Sequence, residues 1–363
     1  MPRIDAFLKL GTEQGCSDVH LAVNVPPMLR MQGELFSIKF RELGEAELEG
    51  YVFEILTESQ KERFRGGEDL DFSYMSSQGG GRYRVNLFRK STGIGVTLRH
   101  IPSDIPSFEQ LALPPIIRSF ADFNQGMVLV TGSTGTGKST TLAALVDYLN
   151  RNKRQNIVTL EDPIEFIHPS KKSQVIQREV GTHVHSFSDG LKSALREDPD
   201  IILVGEMRDP ETITMAMMAA ETGHLVLGTM HTTSAVKSID RLLDALPAEQ
   251  REQGKLFLSQ NLQAVVTQVL VKSEGGRRRR AIVEIMLMTN AISNLILSNK
   301  TFQIPNQIQT GRGMGMQLLD QALLEAVQQK QIDPDDTYLY ANDKRKFQRF
   351  VTDPALLPSI SVV

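Results

Sequence analysis

The sequence predicts an α/β protein in two parts: an α+β module over residues 1–104, then a mostly parallel, helix-covered sheet that ends in a helical C-terminal part. Three observations carry this. Short apolar runs, "GMVLVTG", "NIVTLED", "DIILVGE" and "LVLGTMH", alternate with helix-forming stretches after residue 116, the pattern of a sheet buried on both faces. Ahead of them, "LDFSYM", "GRYRVNLFRK" and "IGVTLRHI" alternate polar and apolar residues, as antiparallel strands do. Between the two lies "IPSDIPSFEQLALPP", with four prolines and no period, which reads as a linker over 105–115 into a domain spanning 116–363.

Taken in order, "IDAFLKLGTEQG" has helical periodicity, and "DVHLAV" and "PMLRMQGELF" read as strands. Acids and apolar residues recur at helical intervals in "EAELEGYVFEILTESQKERF", and the strands after it are joined at a Gly79-Gly80-Gly81 turn. Past Ala248, "EQGKLFLSQNLQAVVTQVLV" and "MQLLDQALLEAVQQKQI" read as long amphipathic helices, and "DPALLPSISVV" as a loose tail.

Composition narrows the functional classes. With 40 basic and 43 acidic residues the chain carries a net charge of −3, so no global basic field points to nucleic acid. The single cysteine, Cys16, excludes a disulfide framework and a four-cysteine zinc module, and reads as a small buried side chain. No apolar run approaches the ~18 residues of a membrane span. "MPRIDAFLKLGTEQG" lacks a signal-peptide core, so a cytoplasmic protein is expected, its membrane link made through partners.

The chemistry starts at "LVTGSTGTGKSTTLAAL". The spacing Gly132-x-x-x-x-Gly137-Lys138-Ser139, between a strand and a helix, is that of a phosphate loop. Glycines let backbone N–H groups of Gly132, Ser133, Thr134, Gly135, Thr136, Gly137 and the residues through Thr140 turn toward phosphate oxygens, beside a helix N-terminus that favours anions. Lys138 would reach the β and γ phosphates and the Ser139 hydroxyl would ligate Mg²⁺. "DIILVGE" places Glu206 just past a buried strand, where a carboxylate can orient or deprotonate water; a surface acid is the plain alternative. An Asp commonly ends this strand, but here Gly205 stands there. "TLEDPIEF" puts Glu161, Asp162 and Glu165 near one strand end; Glu165 or Glu161 could help hold Mg²⁺ through water, unless Pro163 simply sets a solvated acidic turn. Around "HLVLGTMHTTSA", His231 is better placed than His224 to sense the γ phosphate, though either can be structural. His183 and His185 lack a nearby third metal ligand. Phosphoryl transfer needs positive charge at the departing group, and the candidates are Arg82, Arg84, Arg89 and Arg99 in the first part and Arg196, Arg208 and Arg241 in the second. The run Arg277 to Arg280 lacks interleaved aromatics and reads as an exposed loop. "NKRQ" at Asn152 lacks the Asp of a guanine-reading motif, which favours ATP.

Together, "LVTGSTGTGKSTTLAALVDYLN", "TLEDPIEFIH", "SALREDPDIILVGEMRDPETI" and "AAETGHLVLGTMHTTSA" resemble the Walker A, Asp, Walker B and His boxes of the hexameric type II/IV secretion ATPases, within them the pilus-retraction (PilT/PilU) branch. The resemblance runs from "GCSDVHL" and "RYRVNLF" to the C-terminal part. It implies a PAS-like N-terminal domain and a RecA-like P-loop domain, a homo-hexameric ring with ATP between the two domains, and Mg²⁺ at Ser139, Glu206 and Glu165. It makes Glu206 the catalytic acid, Glu165 or Glu161 the Asp-box acid, and His231 with His224 the His box. It implies retraction of a type IV pilus through an inner-membrane platform protein, at the cytoplasmic side of that membrane. Absence of a four-cysteine zinc module and of an extra N-terminal domain favours the retraction branch over assembly motors. That branch usually carries "AIRNLIRE", where this chain has "AISNLILS", Ala291 to Ser298. The change raises the alternative of an accessory subunit beside a paralogous retraction ATPase; a DNA-transfer or secretion ATPase shares the same core.

Overall fold

The computed structural model describes residues 2–357 apart from 32–33, 78–80, 102–103 and 277. Gly79 and Gly80 of the glycine turn, Arg277 of the arginine run and the tail beyond Leu357 lie outside the described residues. The chain divides into two compact units, one comprising Met1–Asp104 with Pro163–Ile167, the other Ile105–Asp162 with His168–Val363.

In the first unit, helix Asp5–Glu13 precedes strands β1 (Asp18–Ala22), β2 (Met28–Met31) and β3 (Glu34–Ser37). Helices Glu45–Phe53 and Glu58–Arg65 follow, then β4 (Leu70–Met75), β5 (Arg82–Lys90) and β6 (Gly93–Ile101). The strands form one antiparallel sheet in the order β3-β2-β1-β6-β5-β4. Alternation sends Val19, Leu21, Val85, Leu87, Val96 and Leu98 into a core closed by the helices, and Cys16 is buried there. The other face is polar, with Arg84 directly opposite Arg99. Two expectations change. "PMLRMQGELF" is a hairpin of two strands rather than one. The helical stretch from Glu45 breaks before Thr57, whose side chain and that of Gln60 make a reciprocal capping box, satisfying N–H groups that a continuous helix would have used internally.

The second unit is built on β7 (Gly126–Thr131), β8 (Asn156–Glu161), β9 (Gln174–Glu179), β10 (Ile201–Val204), β11 (Leu225–Met230), β12 (Leu262–Lys272) and β13 (Arg279–Leu287). Their order is β13-β12-β7-β11-β10-β8-β9, parallel throughout except for the antiparallel β12–β13 pair. Met127, Leu129 and Val265 pack on one face against Leu191, Ile213 and Ile239. Val128, Val130 and Val266 pack on the other against Leu142, Leu145 and Leu149 of helix Lys138–Asn152. Within the segment 105–115, Phe108 and Leu113 are buried in that second core.

The stretch "EQGKLFLSQNLQAVVTQVLV" is not one helix. It is helix Arg251–Asn261 followed by β12, which pairs with β7 on one side and β13 on the other. A strand buried on both faces has apolar residues at nearly every position, which period counting confuses with a buried helix. Val265, Val266, Thr267, Val269 and Val271 are the β-branched residues that decide it, since they lose side-chain freedom in a helix. The helical C-terminal part therefore begins at Asn290, with helices Asn290–Leu297, Ile304–Thr310, Leu319–Gln328 and Pro334–Tyr340. Strands β9 and β13 carry mixed polar and apolar residues at the two sheet edges and left no period to read.

His168 is 6% exposed, and its Nδ1 has no hydrogen-bond partner among the described residues. Burial holds its pKa down to about 4, from an ordinary 6.5. The unfolded chain therefore takes up this proton first as pH falls. The stabilisation is complete above about pH 6.5 and is lost progressively toward pH 4. Urea midpoints measured across that window should fall with pH in the native chain, and fall less steeply in His168→Leu.

Candidate nucleotide and hydrolysis site

Strand β7 delivers the phosphate loop to the C-terminal edge of the parallel sheet, the edge where ligands of open α/β sheets bind. Gly132, Gly135 and Gly137 have φ of 141°, 78° and 84°. At Gly132 a Cβ would overlap the main-chain oxygen of Gln268, so only glycine passes. Gly132 N–H donates to the Met230 carbonyl at 3.2 Å, and the Thr136 hydroxyl donates to the Ser133 carbonyl at 2.9 Å. Lys138 is buried, its ammonium donating to the carbonyls of Gly132 (2.9 Å) and Ser133 (3.0 Å). Helix Lys138–Asn152 starts from left-handed Gly137 with no side-chain cap, so its first N–H groups face the loop. Those donors, the ammonium and the half-buried Ser139 and Thr140 hydroxyls fit a triphosphate, while Ser133, Thr134 and Gly135 lie exposed at the rim.

The adjoining strand ends bring in the acid and the imidazole. β11 lies next to β7 and β10 next to β11, so Glu206 follows a strand two ladder steps, about 10 Å, from the loop strand. Gly205 N–H donates to the Leu160 carbonyl at 2.7 Å, and a Cβ at Gly205 would sit 2.9 Å from that oxygen. The close approach of β10 to β8 thus excludes an aspartate at 205 and moves the acid to Glu206. The Thr229 hydroxyl donates to the Gly205 carbonyl (2.5 Å) and Met207 N–H to the Thr229 carbonyl (3.0 Å), fixing the backbone on both sides of Glu206. Glu206 Oε1 meets His231 Nε2 at 2.5 Å and accepts from Arg208 Nε. The Glu206 carboxylate raises the pKa of Arg208. Arg241 Nη2 donates to the Arg208 carbonyl at 3.2 Å. Four residues singled out in the sequence, Glu206, His231, Arg208 and Arg241, are therefore one connected group.

The other candidates lie elsewhere. His224 precedes β11, so it is about 20 Å along the strand from His231. Its Nδ1 is 2.9 Å from the Ala219 carbonyl and 3.2 Å from the Thr222 hydroxyl, the bonds of a structural histidine closing a helix end. Glu161 ends β8, three ladder steps from β7, and accepts from the Thr159 hydroxyl (2.6 Å) and Gln177 Nε2 (3.0 Å). Glu165 is exposed. Arg82, Arg84 and Arg99 belong to the first unit, where Arg84 pairs with Asp71, and Arg99 with Asp18 at 2.8 Å.

Sequence reading missed Gln268. It is 1% exposed on β12; its Nε2 donates to the Thr136 carbonyl (2.6 Å) and its Oε1 accepts from the Thr141 hydroxyl (2.8 Å). A lone amide in a run of valines was the available signal. Beside the loop, a cavity of about 400 Å³ is lined by Thr140, Leu111, Leu270 and Arg278–Arg280. Arg278–Arg280 thus border the loop.

A type II/IV secretion system protein family model matches residues 84–333. The chain is 48% identical over 320 residues to the type IV pilus retraction ATPase PilT of Pseudomonas aeruginosa, covering 88% of this chain and 92% of that one. It is 46% identical over 309 residues to a twitching motility protein of Neisseria gonorrhoeae, covering 85% and 82%. The crystal structure of the pilus retraction motor PilT with bound ADP superposes with a TM-score of 0.89 at 39% identity, covering 95% of this chain and 99% of that one.

Gly132→Ala should strain the loop by about 1–3 kcal/mol. Adenine-nucleotide affinity is expected to weaken about tenfold or more, read by fluorescent-nucleotide titration, while far-UV circular dichroism stays native.

Proposed function

The chain belongs to the type II/IV secretion system protein family, and from that premise we propose that it is the ATPase that powers type IV pilus retraction, the motor step of twitching motility. The observation that carries this is the placement of a complete phosphate loop and the Glu206–His231 pair on neighbouring strand ends of one sheet.

The triphosphate of ATP lies along Gly132–Thr140, held by backbone N–H groups and the Lys138 ammonium, which is already among the loop carbonyls. Its base and ribose fill the adjoining cavity, between Leu111 and Leu270 and near the arginines at 278–280. Ser139 would hold Mg²⁺, with Glu206 reaching it through water, and the cation would offset charge on the β and γ oxygens. Glu206 orients and polarises the attacking water. His231 and Arg208 share its Oε1, hold that carboxylate in place, and link its state to the backbone after β11. Arg208, bonded to Glu206, and Arg241, bonded to the Arg208 carbonyl, are the positive groups joined to this end. The working assembly is a homo-hexamer in the cytoplasm, peripheral to the inner membrane and acting on a platform protein there. The family and its pilus-retraction relatives support this.

One observation favours a second reading, an accessory ring subunit. In helix Asn290–Leu297, Ile292 and Ile296 are buried, while Leu297 is 43% exposed. The apolar face is kept, and the outward positions lack the charges usual in the retraction branch. Lys138→Ala and Glu206→Ala should each lower ATP turnover about 100-fold or more in a folded protein. The native chain, expressed alone in a retraction-deficient cell, should restore twitching. Failure to restore it with ATPase activity intact would favour the accessory reading.

A further inference from the structure

A buried polar row begins at the phosphate loop and ends on a carboxylate that the hydrolysis site does not use. Thr131, the last residue of β7, shares a 2.9 Å hydrogen bond with Thr267 of β12, and Thr267 stands directly opposite Glu284 of β13. Glu284 is 7% exposed, and among the described residues no lysine or arginine forms an ion pair with it. Its Oε1 accepts the Ala235 N–H at 2.8 Å and its Oε2 the Leu319 N–H at 3.5 Å. Both donors open ten-residue helices, Ala235–Asp244 and Leu319–Gln328, whose positive ends suit a carboxylate. Burial raises the Glu284 pKa and the two amide donors oppose that rise, with Asp320 the nearby acid that adds to it.

Helix Ala235–Asp244 is tied to the hydrolysis group twice. Its first residue comes four after His231, and the intervening turn is fixed by the Thr232–Ser238 hydroxyl contact (2.6 Å) and by Ser234, which accepts from Lys237 N–H at 3.2 Å. Its last turn carries Arg241, bonded to the Arg208 carbonyl. A shift of this helix moves both partners of Glu206.

We propose that Glu284 is a positioning residue for ATP hydrolysis, pinning the start of helix Ala235–Asp244 so that His231 and Arg208 hold Glu206 against water. This rests on reading Glu206 and His231 as the hydrolysis end of the site. Glu284 touches neither nucleotide nor reacting atoms, so its loss lowers kcat and spares KM.

The test uses the full chain. Glu284→Leu should lower kcat about tenfold or more, with KM for ATP changed less than about twofold. Glu284→Gln keeps an acceptor for Ala235 and should recover most of the rate. Ala235→Pro removes the N–H donor and adds two ring carbons at a buried position, so its fold is checked by circular dichroism first. Proline suits the first position of a helix, and Ser234 already has the extended backbone that precedes proline. It should reproduce the kcat loss with Glu284 intact, and it decides the matter if Glu284→Leu does not fold. Native kcat in folded Ala235→Pro overturns the proposal. So does a fall of nucleotide affinity in step with kcat that Glu284→Gln does not repair. Lys138→Ala and Glu206→Ala are measured alongside: undiminished turnover in those would defeat the hydrolysis reading itself, independently of Glu284.

Discussion

The site depends on one close approach. Where β7 ends, the Gly132 backbone passes the main-chain oxygen of Gln268 with no room for a side chain, and the Gln268 amide then bonds Thr136 and Thr141. The phosphate loop is thus held at its first glycine, near its end and one turn into the following helix by a single residue of the neighbouring strand. Such a loop meets an anion with its N–H groups already turned, and little ordering remains to oppose binding. The Lys138 ammonium, bonded to two loop carbonyls, belongs to the same preorganised unit.

A second close approach explains why the acid stands where it does. β10 runs so near β8 that the residue after Val204 must be glycine, and the carboxylate comes one position later. At Glu206 the side chain turns toward β11 and meets His231, which follows the strand lying between Glu206 and the loop. Removal of the γ phosphate would be felt first by groups bonded to this carboxylate. His231 lies four residues before helix Ala235–Asp244 along the chain, and Arg208 meets that helix through the Arg241 hydrogen bond, so the route from chemistry to movement is short.

How much of this was legible beforehand depended on whether the signal was local. The placement of the phosphate loop, Glu206 and His231 was readable because each follows directly on a short apolar strand. The strands carrying them are short and apolar, and the helices between them are distinct. Sequence already favours His231 over His224, because His231 follows its strand and His224 precedes it; the structure adds the contacts of His224 with Ala219 and Thr222. Gln268 and Glu284 were hidden because each sits in a mostly apolar run, that of Gln268 carrying the apolar content of a buried helix. Their value lies entirely in what sits opposite them across the sheet.

The sequence by itself determined the glycine spacing of the phosphate loop and the succession along the chain of the strands that feed the site, since each follows from local residue patterns. Tertiary structure alone decided that β12 and β13 extend the sheet beside the loop, that Glu206, His231, Arg208 and Arg241 form one bonded group, and that Glu161 and His224 serve other bonds. The reason is that hydrogen bonds between strands far apart in sequence carry no local periodicity. Residues 127–131 pair with residues 262–267 only when both are buried in one sheet, and no window along the chain contains both.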